Sequence, residues 1–119
     1  MIILRTNQLN IQFNDRDFSQ ACNNYKLLIK KYGKTQAKKI RTRLDDITAA
    51  ETLEDLGKIY PRCHELKGNR LGQISLDLGG QWRLIFIPFD DPPANKPDGG
   101  IDWKRVKTIK IIGIEDTHE

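Results

Sequence analysis

His64 and His118 are the only imidazoles in this chain of 119 residues. Histidine is the side chain whose ordinary pKa suits either gaining or losing a proton near neutrality. His64 is followed closely by Lys67 and Arg70, beside Gly68 and Gly72, whose missing side chains let backbone come close to a ligand. An alternating apolar stretch comes next and carries Arg83, which mounts the basic groups on or beside a sheet and not on a free linker. Lys67, Arg70 and Arg83 suit a phosphate: they can bind it and stabilise added negative charge, the arginines with two parallel hydrogen bonds. Near the end of the chain Asp116 stands two residues before His118, placed to orient an imidazole or to act as a base itself. Cations that hold a phosphate beside groups able to move a proton are what a site for a phosphate-rich substrate requires.

Each residue also has a plainer reading. His64 can be an ordinary loop histidine, Asp116 and His118 part of a frayed tail, and the basic side chains merely solvated. Arg83 is the hardest to dismiss, because a charge inside an apolar strand needs a partner. Metal chemistry has little support. Cys22 and Cys63 are far apart, with neither a Cys-x-x-Cys pair nor a disulfide framework, and Cys63 and His64 with Asp116 and His118 match no ligand spacing. No metal and no cofactor are expected, and two reduced thiols fit an intracellular setting.

The elements that must hold these residues can be read in order. Residues 2 to 5 are aliphatic and read as a short strand. From Phe18 through Cys22, Tyr25, Leu28, Ile29 and Tyr32 the apolar positions recur at helical spacing, giving one helix that Gly33 ends and that Asn14, Asp15 or Asp17 can cap. From Thr35 the positions Ala37, Ile40, Leu44 and Ile47 form the apolar face of a second helix packed back on the first. A short third turn starts at the Thr52 cap and closes at Gly57, and Pro61 forbids easy continuation.

Ile74, Leu76 and Leu78 alternate with Gln73, Ser75 and Asp77, and Gly79-Gly80 marks a hairpin whose return strand is Trp82 to Phe89. A two-residue turn puts Arg83 on the leucine face. A three-residue turn, which is preferred, pairs Leu78 with Trp82, leaves Arg83 opposite the core and brings Trp82, Leu84 and Phe86 to the core side. Residues 90 to 102, with three prolines and two glycines, form an exposed loop. Val106 to Ile114 is the most β-branched run and reads as a central or long edge strand. The order, a strand, two or three helices and a three-stranded antiparallel sheet, is an α+β fold with the helices on one face of the sheet.

Composition agrees with one soluble domain over residues 1 to 119. Hydrophobic residues make up 38% and charged residues 30%, a folded and not a disordered balance. No apolar run approaches the ~20 residues that cross a bilayer, and the N-terminus is too short an apolar block for a secretory signal, so no membrane association and a cytoplasmic location are expected. The net charge is +4. It is unevenly spread: eight Lys or Arg and no Asp or Glu lie from Lys26 to Arg43. Lys34, Lys38, Lys39, Arg41 and Arg43 in that stretch are either a solvated face or a salt-dependent grip on a polyanionic partner. Trp82 and Trp103 could each stack a base, although alternation puts Trp82 in the core.

Taken together, Tyr32-Gly33 entering a basic helix, Arg43-Leu44 with Ala50, His64-Glu65-Leu66-Lys67-Gly68-Asn69-Arg70 with Gly72, Gln81-Trp82-Arg83-Leu84 with Phe86, and the terminal Glu115-Asp116-x-His118 resemble HigB toxins of the RelE/ParE superfamily. The resemblance runs from about residue 25 to the end. It implies a RelE-like fold and the toxin of a type II toxin-antitoxin module: a metal-independent, ribosome-dependent mRNA endoribonuclease that inhibits translation. His64, Arg83, Asp116 and His118 would be catalytic, Lys67 and Arg70 would hold the phosphate, and the basic helix would grip ribosomal RNA. The implied partner is a helix-turn-helix, HigA-like antitoxin, with operator DNA contacted only through it. Two features depart from the family pattern: Thr117 stands where its C-terminal signature has tyrosine, and the loop over residues 90 to 102 is longer. Two rival readings stay open, a ParE-like toxin that binds DNA gyrase without cleaving RNA, and an inactive member that only pairs with its antitoxin.

Overall fold

The computed structural model describes residues 8–116. The expected strand over residues 2 to 5, and His118 with the tail around it, lie outside them. The elements are β1 (Asn10–Phe13), α1 (Arg16–Cys22), α2 (Tyr25–Tyr32), α3 (Lys34–Ala49), α4 (Leu53–Ile59), β2 (His64–Glu65), a 3₁₀ turn (Gly68–Arg70), β3 (Ile74–Gly79), β4 (Trp82–Pro88) and β5 (Thr108–Asp116). The α+β class is as expected, but the sheet has five strands, not three, in the order β1-β5-β4-β3-β2. β1 runs parallel to β5 and the other neighbours are antiparallel. The two additional strands are four and two residues long, too short for an alternating pattern to register.

Where one long first helix was expected, the chain forms two. Asn24 interrupts the apolar periodicity: its side-chain oxygen accepts from the backbone N–H of Lys26 and Leu27 and so starts α2 afresh. Gly33 ends α2 at φ 85°, a left-handed conformation natural to glycine. The next helix begins at once, at Lys34 and not Thr35, with no side-chain cap. Thr52 caps α4 through the N–H of Asp55, as expected. Gly57 does not close that helix but lies inside it, where a Cβ would sit 3.4 Å from the Trp103 ring.

The helices cover one face of the sheet. Phe18, Leu28, Ile40, Ile47 and Leu56 meet Ile74, Leu76, Leu84, Phe86, Ile109 and Ile111 in one continuous core. Burying each of the larger of these side chains contributes about 1.5–3 kcal/mol. Strand alternation sends the intervening residues, Ser75, Asp77, Arg83, Ile85 and Glu115, to the other face. The loop after β4 is largely exposed. It is tied down at its start, where the Asp90 carboxylate accepts from the backbone N–H of Lys107 and Thr108. No helix among the described residues is long and apolar enough to cross a membrane.

Candidate active site

The register of the β3–β4 hairpin decides where the cations go. Ile74 faces Phe86, Leu76 faces Leu84 and Asp77 faces Arg83, and then an irregularity between Asp77 and Gly79 brings Gly79 opposite Trp82. The expected Leu78–Trp82 pair is therefore replaced by Gly79–Trp82. Arg83 does project from the face opposite the helices. Trp82, expected in the core, instead ends the strand 37% exposed, opposite Gly79 at the end of the hairpin and against the junction of α2 and α3.

The partner that an arginine in an apolar strand requires is Asp77. Arg83 Nη1 donates to Asp77 Oδ1 at 2.9 Å and to the carbonyls of Gly80 and Trp82, both at 2.9 Å. Arg62 approaches the other carboxylate oxygen at 3.6 Å. All of these bonds to Arg83 use one nitrogen. Among the described residues Nε and Nη2 have no hydrogen bond, on a side chain that is 16% exposed, and a planar guanidinium with two unbonded nitrogens suits an oxyanion.

Arg70 reaches the same face from the 3₁₀ turn. Its Nη1 and Nη2 donate to the two carboxylate oxygens of Glu115 at 2.7 and 2.6 Å, and its Nε and Nη2 donate to Gln73 Oε1 at 3.1 and 2.7 Å. The hydrogen bond to Glu115 raises the Arg70 pKa above its ordinary value. Glu115 is in register with Arg83, so both arginines stand over adjacent strands, each held by a carboxylate. The loop is fastened by Glu65, whose Oε2 accepts from the N–H of Gly72 at 2.9 Å. Lys67 is exposed just before the 3₁₀ turn.

His64 lies on β2, the edge strand, opposite Ser75 and on the same face as Arg83. It is exposed, with Nδ1 3.3 Å from the Glu65 carbonyl. Two strand spacings separate β2 from β4, about 10 Å across the sheet. His64 and Arg83 thus project from the same face of the sheet, with the buried Ser75 and Ile85 between them. Asp116 is placed differently. It pairs with Trp82, so alternation sends it to the helix side of the sheet, and Glu115 stands where Asp116 was expected, beside Arg83.

The basic helix divides. Lys34, Lys38 and Arg41 are exposed. Lys39 lies across the hairpin, its Nζ 2.7 Å from where a Cβ on Gly79 would be. Arg43 turns inward: Nε donates to the Asp77 carbonyl at 2.7 Å, Nη1 donates to the Tyr60 hydroxyl at 3.3 Å, and the guanidinium lies 4.5 Å from the Tyr60 ring centre. The Tyr60 hydroxyl in turn donates to Asp46, and burial together with Asp46 raises its pKa. Trp103 packs against the core beside Gly57, not outward into solvent.

Asp77, Glu115, Gln73 and Arg62 escaped sequence reasoning. Asp77 was legible, since it shares the polar side of the alternation with Ser75 and the preferred turn put Arg83 there too. Glu115 was not, because its place beside Arg83 depends on how β5 docks on β4. Cys63 is buried and its thiol is pushed up to about 12 by desolvation, so it offers no thiolate beside His64. Among the described residues no three His, Cys, Asp or Glu side chains gather as a metal site.

No family model matches the chain and no curated protein matches it. Solved structures do. A YoeB dimer from Staphylococcus aureus is 24% identical with a TM-score of 0.51, over 94% of this chain and 98% of that one. A YoeB–YefM complex from the same organism is 24% identical with a TM-score of 0.53, over 94% and 99%. At this identity the likeness is one of fold, and it extends over nearly the whole of both chains.

Proposed function

We propose that this chain is the toxin of a toxin-antitoxin module and a metal-independent endoribonuclease that cuts mRNA in the ribosomal decoding site. The observation that carries the reading is Arg83: a guanidinium held by Asp77 through one nitrogen, with Nε and Nη2 unbonded among the described residues, on the face of the sheet that His64 and Arg70 share. Arg83 would take the scissile phosphate and the charge that builds on it. His64 would move a proton at the 2′-hydroxyl or the leaving oxygen, and His118 would be the second proton-transfer group, while Asp116, on the helix side of the sheet, would act only through it. Lys67 would add charge, and Lys34, Lys38, Lys39 and Arg41 would grip ribosomal RNA. The RelE-type fold likeness supports this assignment.

An antitoxin partner belongs to the same proposal. One solved neighbour holds the fold together with YefM, which supports a YefM-type partner chain over the HigA-like, helix-turn-helix one implied by the sequence resemblance. The test expresses the chain without a partner and maps mRNA 5′ ends. Growth arrest with cuts inside translated codons is expected, relieved in His64→Ala and Arg83→Ala proteins that still fold. Full toxicity of both variants removes the site.

A second reading, a ParE-like toxin that binds DNA gyrase, is favoured by one observation, the complete engagement of Arg70 by Glu115 and Gln73. DNA breakage without codon-internal cuts identifies it. Absence of any toxicity identifies the third reading, a member that only pairs with its antitoxin.

A further inference from the structure

On the helix side of the hairpin, Trp82 closes a groove of about 430 Å³ whose other walls are Lys31, Tyr32, Lys34 and Gln36. Among the described residues no carboxylate lines it, although Asp116 is paired with Trp82 on the neighbouring strand. The Lys39 ammonium stands beside it at the hairpin turn, over Gly79. Other large apolar side chains on this face of β4, Leu84 and Phe86, are fully buried, whereas Trp82 is 37% exposed. A flat, half-exposed indole among lysines is what a stacking platform for a nucleobase requires: the ring takes the base and the cations take the neighbouring phosphates. Gln36 Nε2 has no hydrogen-bond partner among the described residues, and an unpaired buried donor is costly; a base carbonyl reached by a turn of that side chain would supply the acceptor.

We infer that this groove is a nucleobase subsite for single-stranded RNA, holding a nucleotide that flanks the one bound at Arg83. Trp82 and Arg83 are consecutive in β4 and project to opposite faces at the end of the hairpin. An RNA strand with one phosphate on Arg83 can therefore pass round the strand end and lay its adjoining base on Trp82. Lys39 lies at that crossing. The inference rests on the RNA reading above, but it concerns binding, not cleavage.

The experiment titrates the full chain with a short 2′-O-methyl oligoribonucleotide, which cannot be cut, and with an abasic chain of equal length. Trp82→Ala should weaken binding of the base-bearing strand about tenfold, Trp82→Phe should retain most of the affinity, and the abasic chain should bind all three proteins alike. In a Trp103→Phe background the remaining Trp82 emission should be quenched by the oligonucleotide. Equal affinity of Trp82→Ala and wild type, an equal loss with the abasic chain, or no binding by wild type overturns the subsite. Thermal melting of each variant separates misfolding from lost contact. Codon-internal cuts without Trp82-dependent binding leave the nuclease and remove the subsite; Trp82-dependent binding without cuts does the reverse.

Discussion

Arg70 and Glu115 face each other as two parallel hydrogen bonds, Nη1 to Oε1 at 2.7 Å and Nη2 to Oε2 at 2.6 Å. A carboxylate gripped in this way has the geometry that an arginine offers a phosphate. Glu115 therefore occupies the anion position of Arg70, while Arg83, one strand away, keeps two nitrogens without a hydrogen bond among the described residues. This face of the sheet thus has one cation with unbonded donors and one already neutralised.

Glu115→Gln should separate stability from binding. Both side chains are more than a third exposed, so solvent screens the pair, and losing it should cost only about 0.5–1 kcal/mol in urea unfolding. Release of Arg70 should at the same time tighten RNA binding and steepen its salt dependence. Weaker binding in the variant would show that Glu115 serves the RNA directly and does not compete with it.

Arg83 and Asp77 form a more sheltered pair, at 16% and 20% side-chain exposure. Arg83→Ala should lower cleavage by about 10²–10³-fold, the usual cost of one donor to a developing oxyanion, with a stability loss near 1–2 kcal/mol. Arg83→Lys should fall between, because ammonium keeps the charge but not the fork. Asp77→Asn should reduce kcat more than it alters KM, because Arg83 keeps its charge but loses its orientation. Single-turnover cleavage on programmed ribosomes measures all three, and wild-type kcat in Asp77→Asn would refute the positioning role.

How far the chain could be read in advance follows the range of the interactions. Local chemistry was legible: Gly33 ending a helix, Thr52 capping another and the polar side of β3 all depend on neighbours in sequence. The Gly79–Trp82 offset was not, since one irregular residue in the hairpin separates a core tryptophan from an exposed one. Neither was the inward turn of Arg43, which is chosen by the Asp77 carbonyl and the Tyr60 ring, both far along the chain. Of the proposed proton-transfer residues the structure describes two, His64 on the face that Arg83 shares and Asp116 on the helix side, while His118 lies outside the described residues.

The thiols give an alkaline signature. Burial pushes Cys22 and Cys63 up to about 12 from 9.0, so in the folded state each keeps its proton longer than in the unfolded chain. A raised folded pKa means stability that is fully present below about pH 9 and falls as pH rises from there towards 12. Raised hydroxyl pKa values at Tyr32 and Tyr60 act in the same direction above pH 10. Native protein at pH 8 should hardly react with Ellman's reagent, while urea should expose both thiols. In Cys63→Ala the alkaline fall in the urea midpoint should be shallower; an unchanged slope would exclude Cys63 as a source of it.

Arg43 and Lys38 lie on the same helix and should fail in different ways. Arg43 Nε holds the carbonyl of Asp77, the residue whose carboxylate holds Arg83, so Arg43 acts on the site through the hairpin and not by touching RNA. Arg43→Met keeps much of the stem's packing but leaves the Asp77 carbonyl and Tyr60 without their donor, at a cost of about 1–3 kcal/mol. Cleavage should fall through kcat, with the salt slope of RNA binding unchanged. Lys38 is exposed, and Lys38→Gln should leave stability within about 0.5 kcal/mol and weaken ribosome binding with a salt slope smaller by about one phosphate contact. Arg43→Lys, which restores a donor without the fork, should recover part of the lost kcat. A lower salt slope in Arg43→Met with kcat intact would instead place Arg43 on the RNA, and the chain of contacts from α3 to Arg83 would have no role in catalysis.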